Sequence, residues 1–152
     1  MRRIVITPAE LIAALSSGLF TGASVYINLV EHPARVQAGT RIALAEFAPS
    51  YKRATVMQVS LAIVGFLSAL LAWRFRSDAR WLIGGGLLGS VVPFTALAIL
   101  PTNKKLLDPA TANDLDLAEK LLTRWGRLHS VRSILSLASL LMFLFLLGRR
   151  SG

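Results

Sequence analysis

Cysteine is absent from the 152-residue sequence, and charged side chains are scarce. The lack of cysteine excludes disulfide bridges, thiolate metal ligands, Cys-x-x-Cys redox chemistry and a cysteine nucleophile. Charged residues make up 16% of the chain, whereas a soluble domain carries roughly 25%. Hydrophobic residues reach 54% and the mean hydropathy is +0.58. Because a water-facing surface is hard to build from this composition, we predict a single-domain integral membrane protein.

Acidic residues are also few, with eight Asp or Glu against 17 Lys or Arg and a net charge of +9. Such a basic chain is typical of nucleic-acid-binding proteins. Basic loops that flank apolar spans explain the same charge more simply. We therefore expect membrane lipids as partners and no nucleic acid.

Four long apolar runs are present, at 11–30, 54–73, 81–100 and 129–148. The first three contain no charged side chain, and the fourth contains only Arg132. About 20 apolar residues cross a hydrocarbon core of ~30 Å as a helix. In lipid the backbone N–H and C=O groups of such a segment can pair only with one another, which requires a helix. We predict an all-α, up-down-up-down four-helix bundle over residues 1–152, with helices near 10–31, 54–73, 81–100 and 129–148.

The two longer connections are predicted to form amphipathic helices on one membrane face. Asn113 is a candidate N-cap for a helix in which acidic residues come first and basic residues last, an order that suits the helix dipole. That helix is expected to lie on the membrane surface. Residues 40–48 are predicted to form a shorter helix that Pro49 ends.

Arginines are concentrated on the opposite face of the predicted bundle, which holds both termini and a short turn. They are Arg2, Arg3, Arg74, Arg76, Arg80, Arg149 and Arg150. The positive-inside rule places such flanks in the cytoplasm. We therefore expect both termini to be cytoplasmic.

Polar side chains converge on the face that carries the longer connections. Helical spacing puts several of them on one face of helix 1 and on one face of helix 4, and two others come from the ends of helices 2 and 3. The nine candidate site residues are Asn28, Glu31, His32, Arg35, Tyr51, Asn103, Trp125, His129 and Arg132. We predict that they line a pocket open to the non-cytoplasmic side.

Simpler interpretations stay open for several of these residues. Polar groups collect at helix ends because water is there, so each histidine is equally well explained as an interfacial residue with ordinary hydrogen bonds. Glu31 is also placed to pair with Arg35, one turn on. Arg132 lies inside a span, so it should face inward and pair, with Glu31, Asn28 or residues 101–103 in reach. Close helix contact is expected at the glycines Gly18 and Gly22.

The segments YINLVEHPAR, FAPSYKRATVMQ, PFTALAILPTNKKLL and LLTRWGRLHSVRS occur in this order on the four predicted helices. Over residues 10–145 the chain resembles the small four-helix membrane family grouped with fungal anthrone oxygenases. The segments EHPAR and RWGRLHSVR are similar to the bacterial branch of that family. The pattern is carried by His32-Pro33, Tyr51, Pro101-Thr102-Asn103, Trp125, His129 and Arg132. The resemblance implies a bacterial inner-membrane protein.

The resemblance also implies a chemistry, since the fungal members oxidise anthrones to anthraquinones with molecular oxygen. His32 or His129 would act as the base that forms an enolate, and Arg132 and Asn103 would hold the enolate oxygen. The other candidates would bind an apolar aromatic or quinol-like substrate. No flavin or nicotinamide fingerprint is present, so we expect either no cofactor or a simple metal ion. Its candidate ligands are His32, His129 and Glu31.

A second class of function remains open, namely a non-catalytic membrane subunit or lipid-binding protein in a homo- or hetero-oligomer. The same polar cluster would then stabilise the end of the bundle and bind an anionic head group. Transport is disfavoured, because the sequence shows no pair of broken helices in related halves and no acidic residue deep in a span.

Overall fold

The computed structural model describes residues 6–149, and every regular element in this range is helical. The four long helices are α1 (Pro8–Gln37), α2 (Thr40–Arg76), α3 (Arg80–Leu106) and α4 (Leu115–Gly148). Each of them is long and apolar enough to cross a membrane. The prediction of an all-α four-helix membrane fold is confirmed. Arg2, Arg3 and Arg150, on which the predicted orientation partly depends, lie outside the described residues.

The helices form a square bundle in which α1 packs against α2 and α4, and α3 packs against the same two helices. Short connections make consecutive helices antiparallel. Three apolar clusters fill the interior. Trp81 stacks on Phe143 near the α2–α3 turn, with ring centroids 5.2 Å apart. Phe20 and Leu88 belong to the middle cluster, and Trp125 to the cluster at the opposite end.

Two helices extend further toward their N-termini than the apolar runs predict. Residues 40–48 are helical as expected, but α2 passes through Pro49 without ending. The segment before 129 is also helical, and it is the first part of α4 instead of a separate surface helix. Its N-cap is Asp114, whose carboxylate accepts a hydrogen bond of 2.9 Å from the N–H of Leu117. Asn113 instead ends a short 3₁₀ helix, Pro109–Asn113.

Wide π-helical turns interrupt α1 at Ile27–Glu31 and α3 at Thr95–Ile99. Each turn ends two residues before a proline, Pro33 in α1 and Pro101 in α3. A proline has no N–H, and its ring clashes with the carbonyl four residues earlier. Widening the preceding turn relieves that clash and keeps the helix continuous, so α1 does not end at residue 31 but runs on to Gln37.

Close helix contact occurs at glycines other than the two that were expected. A Cβ atom on Gly22 would meet nothing within 4 Å, and one on Gly18 would only reach ordinary contact with Leu140, at 3.6 Å. A Cβ atom on Gly84 would instead lie 2.5 Å from the ring of Phe143. The tight approach of α3 to α4 therefore depends on Gly84.

A buried ion pair ties α1 to α2 at the end near the α2–α3 turn. Glu10 is fully buried and accepts hydrogen bonds from Arg76 Nε at 3.1 Å and Nη2 at 2.8 Å. The same carboxylate closes a capping box with Thr7 at the start of α1. Glu10 was not predicted to have a structural role, although a Thr-Pro-x-Glu pattern before an apolar run is a recognisable N-terminal signal.

Candidate functional site

A small polar cavity, here called the chamber, lies inside the bundle at the level of the two π turns. Its volume is about 30 Å³, room for one or two water molecules. All four helices contribute to its wall. Seven of the nine predicted site residues line it, namely Glu31, Arg35, Tyr51, Asn103, Trp125, His129 and Arg132. The convergence of polar residues predicted from the sequence therefore has a counterpart inside the bundle.

Asn28 orients the imidazole of His129, which is 1% exposed. The Oδ1 atom of Asn28 lies 2.8 Å from His129 Nδ1. The hydroxyl of Ser130 donates to the carbonyl of Gly126 at 3.0 Å, so its oxygen is left to accept from Asn28 Nδ2 at 3.2 Å. Ser133 accepts from the same amide nitrogen at 2.9 Å. Because the amide NH₂ faces the two serines, its oxygen faces His129, which fixes the proton of the neutral ring on Nδ1 and the lone pair on Nε2.

His32 does not line the chamber. Its ring packs against one side of Trp125, with centroids 5.0 Å apart, while His129 stacks on Trp125 at 4.7 Å. His32 borders a separate surface groove together with Asn28 and Gly126. A Cβ atom on Gly126 would lie 2.7 Å from His32 Nε2, so the glycine is what lets the imidazole approach α4.

The three candidate metal ligands are not brought together. Within residues 6–149, no group of three or more His, Asp or Glu side chains is placed to hold a metal ion. Glu31 is instead engaged by Arg35 and by the hydroxyl of Ser50, the latter at 2.9 Å. The donor set of His32, His129 and Glu31 does not fit a shared ion.

An ion-pair network closes the chamber toward the start of α2. Arg35 is 6% exposed and pairs with both Glu31 and Glu46. Its guanidinium carbon lies 5.8 Å from the ring centroids of Phe47 and Trp125, a cation–π arrangement. In the structure Glu31 is the ion-pair partner of Arg35, which agrees with the simpler interpretation of Glu31.

Arg132 points into the bundle as predicted, but its hydrogen-bond partner is not one of those that were predicted. Its Nη2 atom donates to Oε1 of Gln58, and its guanidinium carbon lies 5.4 Å from the ring centroid of Phe20. Neither Glu31 nor Asn28 makes a hydrogen bond to it within the described residues. Gln58 is 1% exposed, and its signal in the sequence was a single amide within the uncharged run 54–73.

Several buried polar atoms on the chamber wall lack a hydrogen-bond partner among the described residues. They are Gln58 Nε2, Asn103 Oδ1, Trp125 Nε1 and Arg132 Nε. Burying such a group unpaired is unfavourable by about 1–3 kcal/mol. Three of the four are donors, so a molecule that brings an acceptor oxygen complements this wall.

A second cavity, here called the cleft, lies between α2 and α3 and is mainly apolar. Its volume is about 200 Å³. Thr55, Gln58 and Arg132 line both the cleft and the chamber. The rest of its wall comes from Phe20, Val59, Ala62, Val91, Val92, Thr95, Ala96 and Leu100.

Fold and site together define a four-helix bundle of membrane-spanning length with an oriented histidine, an inward arginine and unpaired buried donors around one interior cavity. The family model described as anthrone oxygenase matches residues 47–142. That range contains most of the chamber wall but not Ile27, Glu31 or Arg35, and it also excludes Asn28. The chain belongs to the anthrone oxygenase family.

Three curated relatives agree with this assignment. The chain is 32% identical to anthrone oxygenase tpcL of Aspergillus fumigatus over 148 residues, 88% of this chain and 88% of that protein. It is 31% identical to the anthrone oxygenase of Claviceps purpurea over 150 residues, 86% of this chain and 84% of that protein. It is 26% identical to anthrone oxygenase dmxR16 of Cryptosporiopsis sp. over 137 residues, covering 85% and 80%. No solved structure matches the chain. These relatives indicate an oxygenase-like function.

Proposed function

We propose that the protein is a membrane oxygenase that converts an anthrone-like ketone to the corresponding quinone with molecular oxygen. The observation that carries the proposal is the 2.8 Å contact between Asn28 Oδ1 and His129 Nδ1. This contact leaves Nε2 of a neutral imidazole free to act as a base. His129 lines the chamber together with Arg132, so a base and a cation share one cavity. The names of the relatives supply the substrate class.

The first step is removal of a proton from the methylene carbon of the substrate by His129 Nε2. The chamber of about 30 Å³ has to widen for this step, because a three-ring ketone is far larger than two water molecules. The electron pair of the broken C–H bond forms a C=C bond, and the negative charge moves to the ketone oxygen. Unpaired N–H groups of Arg132 and Gln58 are the donors that stabilise this enolate oxygen. Asn103, first considered for the same task, presents an unpaired acceptor oxygen and suits a substrate hydroxyl better.

The second step joins the enolate carbon to O₂. The enolate supplies two electrons for the new C–O bond, and the His129 imidazolium returns its proton to the distal oxygen, which gives a carbon-bound hydroperoxide. His129 then takes the remaining proton from that carbon as the O–O bond breaks, and the hydroxide leaves as water once protonated. The balance is one methylene and one O₂ giving one carbonyl and one H₂O. The steps use this chain and O₂ alone.

For the membrane orientation we keep the expectation of a bacterial inner membrane with cytoplasmic termini and the chamber near the other face. The support is the arginine-rich α2–α3 turn, with Arg74, Arg76 and Arg80, at the end of the bundle opposite the chamber. A reporter enzyme fused at Gly152 that is active only in the periplasm would contradict this orientation.

The proposal is tested by supplying anthrone to the protein in lipid nanodiscs and measuring O₂ uptake and anthraquinone formation together. Empty nanodiscs are the control, because anthrones also oxidise slowly on their own. We expect one O₂ consumed per anthraquinone formed, at a rate well above the control. A rate equal to that of empty nanodiscs would contradict the proposed function.

A non-catalytic lipid-binding subunit is the second candidate, and one observation favours it. A surface groove along the first part of α4 is lined by Lys120, Arg124 and Arg127 and by the carboxylates Asp116 and Glu119. Its basic groups outnumber its acidic ones, which suits an anionic head group. Under this alternative, neutralising the three basic side chains removes bound anionic lipid, and anthrone is not turned over.

A further inference from the structure

The wall between the cleft and the chamber consists of Thr55 and of the two hydrogen-bonded side chains Gln58 and Arg132. All three residues line both cavities. Arginine has no acceptor, so the oxygen of the Gln58 amide faces Arg132 and its NH₂ group points elsewhere. That NH₂ group has no partner among the described residues, and neither has Nε of Arg132. Two donors are therefore left unsatisfied at the inner end of an apolar cleft.

The rest of the cleft suits a flat hydrocarbon framework. Phe20, Val59, Val91 and Val92 provide apolar walls, and Ala96 is exposed to the outside of the bundle. An apolar cavity of about 150 Å³ holds one benzene ring, so the cleft, with about 200 Å³, takes one edge of a three-ring framework while the rest stays in the bilayer. It opens between α2 and α3 in their central parts, where helices of membrane-spanning length face lipid.

We infer that the cleft is the entry site at which planar polycyclic ketones arriving from the bilayer dock, with the ketone oxygen pointing inward to accept hydrogen bonds from Gln58 Nε2 and Arg132 Nε. His129 does not line the cleft, so this docked position precedes the one in which the methylene carbon meets His129. Gln58 is the residue that distinguishes a ketone from a hydrocarbon of the same shape. This inference rests on the proposed function for the substrate class, and it adds the binding site, the entry side and the role of Gln58. A site that hydrogen-bonds a ligand oxygen discriminates against the analogue without it, because its buried donors would stay unpaired.

The experiment is equilibrium binding of 9,10-anthraquinone and of anthracene to the full chain in nanodiscs, with empty nanodiscs as the partition control. Gln58→Glu keeps the acceptor for Arg132 and removes the NH₂ donor. Ala96→Phe fills the mouth of the cleft. Leu97→Phe is its matched control, since Leu97 is the neighbouring residue and is 81% exposed outside the cleft.

We expect Ala96→Phe to abolish saturable binding of both ligands and Leu97→Phe to change neither. Gln58→Glu should weaken anthraquinone binding roughly three- to tenfold, as loss of one hydrogen bond does, and leave anthracene binding unchanged. Wild-type affinity in Ala96→Phe would overturn the cleft as the site, and equal weakening of both ligands in Gln58→Glu would overturn the role of Gln58. If a lipid acyl chain occupies the cleft instead, the wild type will show no saturable binding of anthraquinone. That result also overturns the inference.

Binding and turnover separate this inference from the proposed function. If anthraquinone binds in the cleft but anthrone is not oxidised, the reaction is wrong and the binding site stands. If anthrone is oxidised and Ala96→Phe binds and reacts like the wild type, the reaction stands and the cleft is not its entrance.

Discussion

Asn28 Oδ1 accepts a hydrogen bond from His129 Nδ1 across 2.8 Å, which joins two side chains 101 positions apart in the sequence. The contact ties the π turn of α1 to α4. The neighbouring serines fix its direction, with His129 Nδ1 as the donor. The contact turns an interior histidine into a base with a defined tautomer. The proposed chemistry depends on this orientation more than on any other contact.

Asn28→Leu removes the acceptor that orients His129. We expect kcat to fall roughly ten- to a hundredfold through misplacement of the base, with KM for anthrone little changed, because Asn28 does not line the chamber. Asn28→Asp keeps an acceptor for Nδ1 and should recover most of the rate. Ser24→Ala is the control one turn earlier on α1, at a polar position that is fully buried. If KM for anthrone rises as much as kcat falls, and Asn28→Asp does not recover the rate, Asn28 does not act by orienting His129.

Glu10→Gln tests the ion pair at the opposite end of the bundle. Glu10 is buried against Arg76, so we expect the free energy of unfolding in detergent to fall by about 1–3 kcal/mol. The anthrone oxidation rate of the folded protein should not change, since Glu10 is far from the chamber. The exposed Glu119 provides the control, and Glu119→Gln should stay within ~0.5 kcal/mol of the wild type. Equal stability of the two variants would contradict the described contact.

Gly84→Ala and Gly86→Ala test the packing of α3 on α4. A Cβ on Gly84 would lie 2.5 Å from Phe143, whereas one on Gly86 would meet nothing within 4 Å. We expect Gly84→Ala to lower the free energy of unfolding by about 1–3 kcal/mol through overpacking. Gly86→Ala should be neutral or stabilising by up to about 1 kcal/mol, because alanine is the better helix former. The reverse order in a detergent unfolding series would contradict the helix packing.

The sequence was sufficient for the four helices and for much of the chamber, because apolar run length and helical spacing are local properties. Ser17, Thr21 and Ser24 precede Asn28 at helical spacing on α1, and all three are buried. Arg132 was expected to face inward, since a lipid-facing charge is unfavourable.

The position of His32 could not be obtained from helical spacing. The π turn at Ile27–Glu31 adds a residue to the turn, so side chains beyond it are rotated from the positions that a regular helix would give them. His32 therefore packs on Trp125 and borders the surface groove instead of the chamber. Gln58 was missed for a different reason, since a single amide in an apolar run does not reveal its partner until the helices are placed together.

The most direct test of the central claim compares His129→Ala with His32→Ala in anthrone-dependent O₂ uptake, with both variants shown to be folded in nanodiscs. We predict that His129→Ala lowers kcat by roughly a hundredfold or more, as loss of a general base does, while His32→Ala keeps most of the wild-type rate. An unchanged rate in His129→Ala, or a loss in His32→Ala as large as that in His129→Ala, would contradict the assignment of His129 as the base.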